Sequence, residues 1–179
     1  MINGLKIIED YITPEDEEQL ITLLDSMEWS SALARRTQHY GYNYNYKGGN
    51  LTPTTPFPEI LSTIASRLLD NGYFLSLPNQ CIVNEYTKLQ GIAAHIDNTN
   101  FGPIVASLSL LQPTNMVMSK GDQKDELYLP PRSLLILSDE ARETWKHEIP
   151  KRATLQTPDG KRKKDDDYRR VSLTFRTIV

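Results

Sequence analysis

The sequence predicts an α+β chain, mainly β, in which a few helices precede a sandwich or jelly-roll core. Three observations predict it. From Gln80 onward, apolar runs of strand length such as Val105 to Leu110 and Ser133 to Leu137 are separated by turn residues. Before that point, two stretches place apolar residues at helical spacing. Near the far end, Arg170 to Arg176 alternates strictly. Val171, Leu173 and Phe175 fall on one strand face, and Arg170, Ser172, Thr174 and Arg176 fall on the other.

Taken in order, Ile2 to Tyr11 reads as a short apolar strand. Thr13-Pro14-Glu15-Asp16 then reads as a helix start: a hydroxyl cap, a proline whose missing N–H costs nothing there, and acids at the positive end of the dipole. Leu20, Ile21, Leu23, Leu24 and Met27 form its core face, and the acidic run Glu15 to Glu18 reads as a solvated first turn. Arg35 to Asn50 alternates tyrosine with asparagine behind two arginines. That composition suits phosphate contact and base stacking, and equally a hairpin whose tyrosines lie flat on a sheet. After the proline-rich stretch Leu51 to Pro58, Glu59 to Asp70 reads as an amphipathic helix through Ile60, Leu61, Ile64, Leu68 and Leu69, ended by Gly72. Pro158 to Arg169 carries Lys161 to Lys164 and Asp165 to Asp167. It reads as a self-neutralising hairpin tip, with phosphate contact as the alternative.

Length and composition bound the function. A chain of 179 residues suggests one domain with a real core. Its net charge of -3 and pI ≈ 5.6 do not announce nucleic acid through global electrostatics. A single cysteine, Cys81, excludes a disulfide framework and a Cys-rich zinc site. With no apolar run of membrane-spanning length and no signal-peptide core, the expectation is a soluble, intracellular and by default cytoplasmic protein.

The chemistry gathers around His95-Ile96-Asp97. Residues two apart on a strand point the same way, so an imidazole and a carboxylate would share one space. His147 is the candidate third ligand; it sits between Trp145 and Ile149 on one strand face, where a hydrogen-bonded core histidine is the alternative. Two imidazoles and a carboxylate form the facial set that holds Fe(II) and leaves positions open. Arg170 and Arg176 on a polar strand face call for anions, and a dicarboxylic acid such as 2-oxoglutarate suits two guanidinium groups flanking a pocket. Asn84 and Tyr86 share a strand face in the same way.

In order and spacing, Asn84-Glu85-Tyr86, His95-Ile96-Asp97, Ile104 to Leu110, Pro131 to Leu137, His147 and the pair Arg170 and Arg176 resemble the AlkB-like Fe(II)/2-oxoglutarate-dependent dioxygenases. The resemblance runs from about Arg35 to the last residue. It implies a double-stranded β-helix (jelly roll) with the N-terminal helices packed on one sheet, as a single domain over 1–179. Residues 1–78 would supply the helices and a substrate lid, and 79–179 the catalytic core. It further implies that His95, Asp97 and His147 bind Fe(II), that Asn84 and Tyr86 hydrogen-bond 2-oxoglutarate, and that Arg170 holds its distal carboxylate. Arg176 would lie nearer the metal and steady Asp97. Arg35, Tyr40 and Tyr42 would contact the substrate base from the lid, with His39 as a support.

With O2 as oxidant, such an enzyme hydroxylates or oxidatively demethylates a nucleic-acid base, here RNA such as tRNA. A protein or small-molecule substrate of the same chemistry is the alternative. A non-catalytic barrel is disfavoured, because two arginines and an intact ligand set are costly to bury without partners. Members that repair alkylated bases carry an acid shortly after the metal-binding aspartate, where this chain has Asn98-Thr99-Asn100. Ile96, Ser107 to Leu110 and the Arg35 to Tyr42 segment are instead most similar to the branch that hydroxylates the wobble uridine of tRNA. Members of that branch carry RNA-binding and methyltransferase domains, for which 179 residues leave no room. The expectation is therefore a stand-alone monomer that uses an RNA-binding or methyltransferase partner protein and no membrane.

Overall fold

The computed structural model describes residues 1–179. Strand β1 (Leu5–Ile8) leads into helix α1 (Pro14–Ser26). Thr13 begins that helix as its residue types require: its hydroxyl accepts from the Asp16 N–H at 3.1 Å, and the Asp16 carboxylate accepts from the Thr13 N–H at 3.2 Å. Strand β2 (Thr37–Tyr40), the hairpin β3 (Tyr42–Tyr44) and β4 (Leu51–Pro53), and helix α2 (Glu59–Asp70) follow. Beyond them the chain is almost all strand: β5 (Gln80–Thr87), β6 (Ile92–His95), β7 (Phe101–Leu111), β8 (Thr114–Lys120), β9 (Gln123–Leu129) and β10 (Leu134–Leu137). A short helix α3 (Asp139–Glu143) precedes β11 (Lys146–Ile149), the hairpin β12 (Thr154–Thr157) and β13 (Gly160–Lys163), and β14 (Arg169–Ile178).

The strands make two antiparallel sheets, a major one ordered β1-β10-β7-β14-β5-β2 and a minor one ordered β6-β11-β8-β9. Alternation decides what each face of the major sheet meets. Val83, Leu108, Leu110, Val171, Leu173 and Phe175 form one buried cluster with Leu20 and Leu24 of α1 and Leu61, Ile64 and Leu68 of α2. Full burial of each such side chain contributes roughly 1.5–3 kcal/mol. The opposite face meets the minor sheet: Tyr86, Val105, Leu135 and Leu137 cluster with Met116, Met118, Leu129 and Ile149. Arg170, Ser172, Thr174 and Arg176 are thereby buried between the sheets, and this placement creates the site. No helix is long and apolar enough to cross a membrane.

Two sequence expectations change here. Glu17, read as part of a solvated turn, accepts from the Leu111 N–H at 2.9 Å and from Arg132 Nη1 at 3.2 Å, tying α1 to the β7 end. Leu111 and Arg132 have left-handed backbones (φ 73 and 65), so ordinary strand pairing stops there and a side chain satisfies the free amide. The charged stretch 158–169 is a hairpin at its tip, but Lys164 is buried, donating to the Lys88 carbonyl at 3.2 Å and lying 4.6 Å from the Tyr168 ring centre.

Arg169 belongs to a larger network. Glu85 is buried and accepts from Arg36 Nε and Nη2 at 2.7 Å each and from Arg169 Nε at 2.8 Å, while Arg169 also holds Asp25 at 2.7 Å. The Arg36 hydrogen bonds, joined by Arg169, hold the Glu85 carboxyl below its usual range against the upward pull of burial. A depressed folded-state value stabilises above the unfolded glutamate range and is lost as pH falls through the folded one. Glu85→Ala is therefore expected to cost about 2–3 kcal/mol at neutral pH, less than a fully buried pair because both arginine heads reach solvent. Urea unfolding should show the difference from wild type shrinking below about pH 4. A difference that stays constant across that range would mean the charge of Glu85 is immaterial.

Candidate active site

Strand β6 ends at His95, so Asp97 lies just past the strand rather than on it. Ile96, 39% exposed, turns outward between them, and the expected convergence of the two side chains survives the strand's end. Strand β11 pairs with β6 in the register His147 opposite His95, with ring centres 4.3 Å apart. His95 Nε2 is 3.4 Å and His147 Nε2 is 3.5 Å from the same oxygen, Asp97 Oδ1. One ligand atom from each residue lies within 4.8 Å of the others.

The surroundings set the protonation states that a cation needs. His95 Nδ1 lies 2.7 Å from the Ala93 carbonyl; an N–H donated there leaves the Nε2 lone pair facing the cluster. Burial lowers the His147 pKa to about 4, so this ring is neutral at physiological pH. Burial pulls Asp97 upward, but the Arg176 guanidinium and both histidines outweigh it and hold the carboxyl well below the usual range. Arg176 Nε donates to Asp97 Oδ2 at 2.7 Å, which leaves Oδ1 for the cluster. Two imidazoles, one ionised carboxylate and an open side fit Fe(II).

Behind this cluster a cavity runs between the sheets, lined by Asn84, Tyr86, Ser107, Ser172, Thr174 and Arg170 among others. Arg170 is 1% exposed. Its Nη2 donates to Ser109 Oγ at 2.9 Å, its Tyr86 neighbour offers a ring face at 5.4 Å, and its Nε has no partner. It makes no ion pair. A buried guanidinium without a carboxylate is costly, so a cavity shaped this way fits the acid end of a small dicarboxylate. Arg176 likewise leaves Nη1 unpartnered.

A second pocket opens on the other side of His95 and shares Asn84, Ile92, His95 and Arg176 with the inner cavity. Its walls include Arg35, Tyr44, Tyr46, Asn98 and Phe101. Arg35 Nε donates to Asn84 Oδ1 at 3.0 Å, which puts Arg35 at the junction of the two spaces. The expected tyrosine contacts are corrected. Tyr40 is 2% exposed in the helix-side core, with its hydroxyl donating to Gln38, and Tyr42 does not line the pocket. Tyr44 and Tyr46 line it instead. The Tyr44 ring is 5.1 Å from Tyr46 and 5.4 Å from Phe101, and Tyr46 Oη lies 3.3 Å from His39 Nε2, so His39 supports this wall. The signal that could have found them is Gly41. Its left-handed backbone (φ 78) separates β2 from β3, so the alternation begun in β2 does not carry into β3.

With this geometry in view, comparison with known proteins is informative. The 2OG-Fe(II) oxygenase superfamily matches residues 4–176. An alkylated DNA repair protein ALKBH8 homolog of Arabidopsis thaliana is 34% identical over 205 residues, covering 99% of this chain and 59% of that protein. The tRNA (carboxymethyluridine(34)-5-O)-methyltransferase ALKBH8 of Mus musculus is 33% identical over 162 residues, covering 82% of this chain and 24% of that protein. This chain thus spans less than two thirds of either relative. Among solved structures, OsALKBH1 superposes with a TM-score of 0.77 at 15% identity, covering 99% of this chain and 98% of that one, a likeness of fold.

Proposed function

The chain belongs to the 2OG-Fe(II) oxygenase superfamily, and we propose that this member oxidises a base of a nucleic acid, RNA in preference to DNA. The observation that carries the proposal is the outer pocket, walled by Tyr44, Tyr46 and Phe101, with Arg35 at its side and His95 at its floor. Aromatic rings take up an unstacked base and arginine takes its phosphate, which is how single-stranded RNA is commonly held.

Within this proposal His95, Asp97 and His147 hold Fe(II), and Asn84, Tyr86, Arg170 and Arg176 receive 2-oxoglutarate. Bound together with O2, they supply the oxidation of a C–H bond, with succinate and carbon dioxide as co-products. The chain's own groups do the positioning. Arg170 neutralises the distal carboxylate at the deep end. Arg176 fixes the Asp97 carboxylate by holding the oxygen that does not face the histidines. Tyr44 and Phe101 aim the base and exclude water from the reacting carbon. If that carbon is an N-methyl, the hydroxylated product releases formaldehyde; a carbon-bound target stays hydroxylated.

The charges of the outer pocket favour an uncharged base. Its one carboxylate is Asp97, with one oxygen on Arg176 and the other facing the histidines, so a cationic alkylated base would find no free counter-charge. Asn98 Oδ1 accepts from the Asn100 N–H at 2.8 Å, which leaves its amide nitrogen to donate to a neutral edge. The chain acts as one unit over 1–179, as a monomer inside the cell. An RNA-binding or methyltransferase partner protein belongs to the same proposal, because the mouse relative, named as a tRNA methyltransferase, extends far beyond the matched part.

The test is nucleoside mass spectrometry on tRNA and on single-stranded DNA incubated in air with the protein, Fe(II) and 2-oxoglutarate, alongside His95→Ala and Tyr44→Ala. The expected result is an added oxygen or a lost methyl on RNA, absent with His95→Ala and reduced about 5- to 150-fold with Tyr44→Ala, from a stacking contribution of about 1–3 kcal/mol. Succinate formed with no change in any nucleoside would move the substrate to a protein or a small molecule.

A further inference from the structure

Arg142 has no role in the ligand set, the co-substrate cavity or the outer pocket wall described above. It is nonetheless a buried arginine, 7% exposed, on α3 with no carboxylate partner. Its donors all turn toward the loop that carries Asp97. Nη1 donates to the Asp97 carbonyl at 3.1 Å, Nη2 to the Asn98 carbonyl at 3.0 Å and the Phe101 carbonyl at 3.2 Å, and Nε to the Gly102 carbonyl at 3.1 Å.

Four carbonyl oxygens turned toward one point repel one another, and the contacts of the Asp97, Phe101 and Gly102 carbonyls with the guanidinium are buried. A planar guanidinium, with five donors in a fixed fork, is the side chain that satisfies them together. Lysine cannot, since its three donors radiate from one atom. The rest of what defines the loop is mostly local: β6 has ended, β7 begins at Phe101, and Asn98 accepts from the Asn100 N–H at 2.8 Å through its side chain and from the Phe101 N–H at 3.1 Å through its carbonyl. Its other ties to the fold are Arg176 Nε to Asp97 Oδ2 at 2.7 Å, the Val179 N–H to the Asn100 carbonyl at 3.2 Å and the Asn100 side-chain amide to the Gly49 carbonyl at 3.0 Å. Arg142 also stands on the segment that continues through Trp145 into β11 and His147. It therefore couples the backbone beneath one ligand to the segment that delivers another.

We propose that Arg142 is a positioning residue of the metal site, holding the Asp97 peptide so that its carboxylate faces His95 and His147. The inference rests on the reading of His95, Asp97 and His147 as metal ligands. Removing the guanidinium takes a donor from all four carbonyls, leaving the Asn98 carbonyl only its bond from the Phe101 N–H, and lets the loop choose other conformations, so the cluster must be reassembled each time a metal binds. Supporting groups of this kind typically affect metal affinity by about 10–100-fold.

The experiment titrates Co(II) into the full chain and follows its visible absorption for wild type, His95→Ala, Arg142→Met and Arg142→Lys, with the melting temperature of each metal-free protein recorded. The expected result is binding by wild type, none by His95→Ala, about 10–100-fold weaker binding with an altered spectrum by Arg142→Met, and an intermediate affinity for Arg142→Lys. Should Arg142→Met not fold, Arg142→Lys decides: weaker binding than wild type supports the proposal, and equal binding overturns it. A lower melting temperature with wild-type affinity and spectrum would make Arg142 purely a scaffold residue and overturn the inference alone. A wild-type protein that does not bind Co(II), or His95→Ala that binds it equally well, would overturn the ligand reading beneath it.

Discussion

Arg170→Met is expected to give a protein that folds more stably and has lost its hold on 2-oxoglutarate. The native guanidinium is 1% exposed, has one hydrogen bond to Ser109 and leaves Nε unpartnered. Burial pushes its pKa down, which is the signature of a charge held where it is not solvated. Methionine fills comparable volume with no polar atom, and replacing buried charge with apolar packing is often neutral or stabilising by about 1–4 kcal/mol. The co-substrate loses its charge partner at the same time. Truncating one member of a buried charge pair costs about 2–5 kcal/mol, which corresponds to about 30- to 4,000-fold in affinity. Calorimetric titration of 2-oxoglutarate into the Co(II)-loaded protein, beside urea unfolding of the free protein, reads both effects. Unchanged affinity would remove Arg170 from the co-substrate site, and a large loss of stability would make it a structural arginine instead.

Asp97→Ala should move stability in the opposite direction. Asp97 is the partner of the Arg176 guanidinium, and Arg176 is 8% exposed with Nη1 already unpartnered. Deleting the carboxylate strands a second buried cation, at a cost of about 3–5 kcal/mol. It also removes the oxygen that both histidines face, so Co(II) affinity should fall by more than the roughly 100-fold attached to supporting groups. Asp97→Asn separates the two effects. An amide oxygen still accepts from Arg176 and recovers part of the stability, yet supplies no negative charge to the metal. Metal retained at wild-type affinity by both variants would mean that the carboxylate is not a ligand.

The opposed signs follow from one strand face, and that face was legible in the sequence. Strict alternation from Arg170 to Arg176 needs only a period of two, which any strand imposes whatever its neighbours. The same holds for Thr13 at the start of α1, where the cap and its acid lie within one turn. His95 and Asp97 were legible for the wrong local reason: the strand stops at His95, and the backbone beyond it still brings the carboxylate round. What escaped depended on contacts that no local period encodes. Tyr40 and Tyr44 look alike in sequence, but Gly41 breaks the strand between them and sends one to the core and the other to the pocket. Glu17 and Arg142 each sit in a short polar run resembling a solvated helix surface. Their functions come from chain reversals at Leu111 and past Asp97, far off in sequence, that leave backbone groups needing a partner.

The two halves of the site also differ in how firmly their strands are paired. β14, with Arg170 and Arg176, lies between β7 and β5 and is hydrogen-bonded along both edges. β6, with His95, is the outer strand of the minor sheet and keeps register with β11 only at His95 and Ile92, across a bulge. Local opening is cheapest at such an edge and approaches the free energy of global unfolding at a doubly paired centre. Amide protons of β14 should thus be among the last in the molecule to exchange with solvent, while those of β6 exchange by fraying. An excursion that loosens the histidine side leaves the anion-binding side standing, so metal loss and reloading need not pass through an unfolded protein.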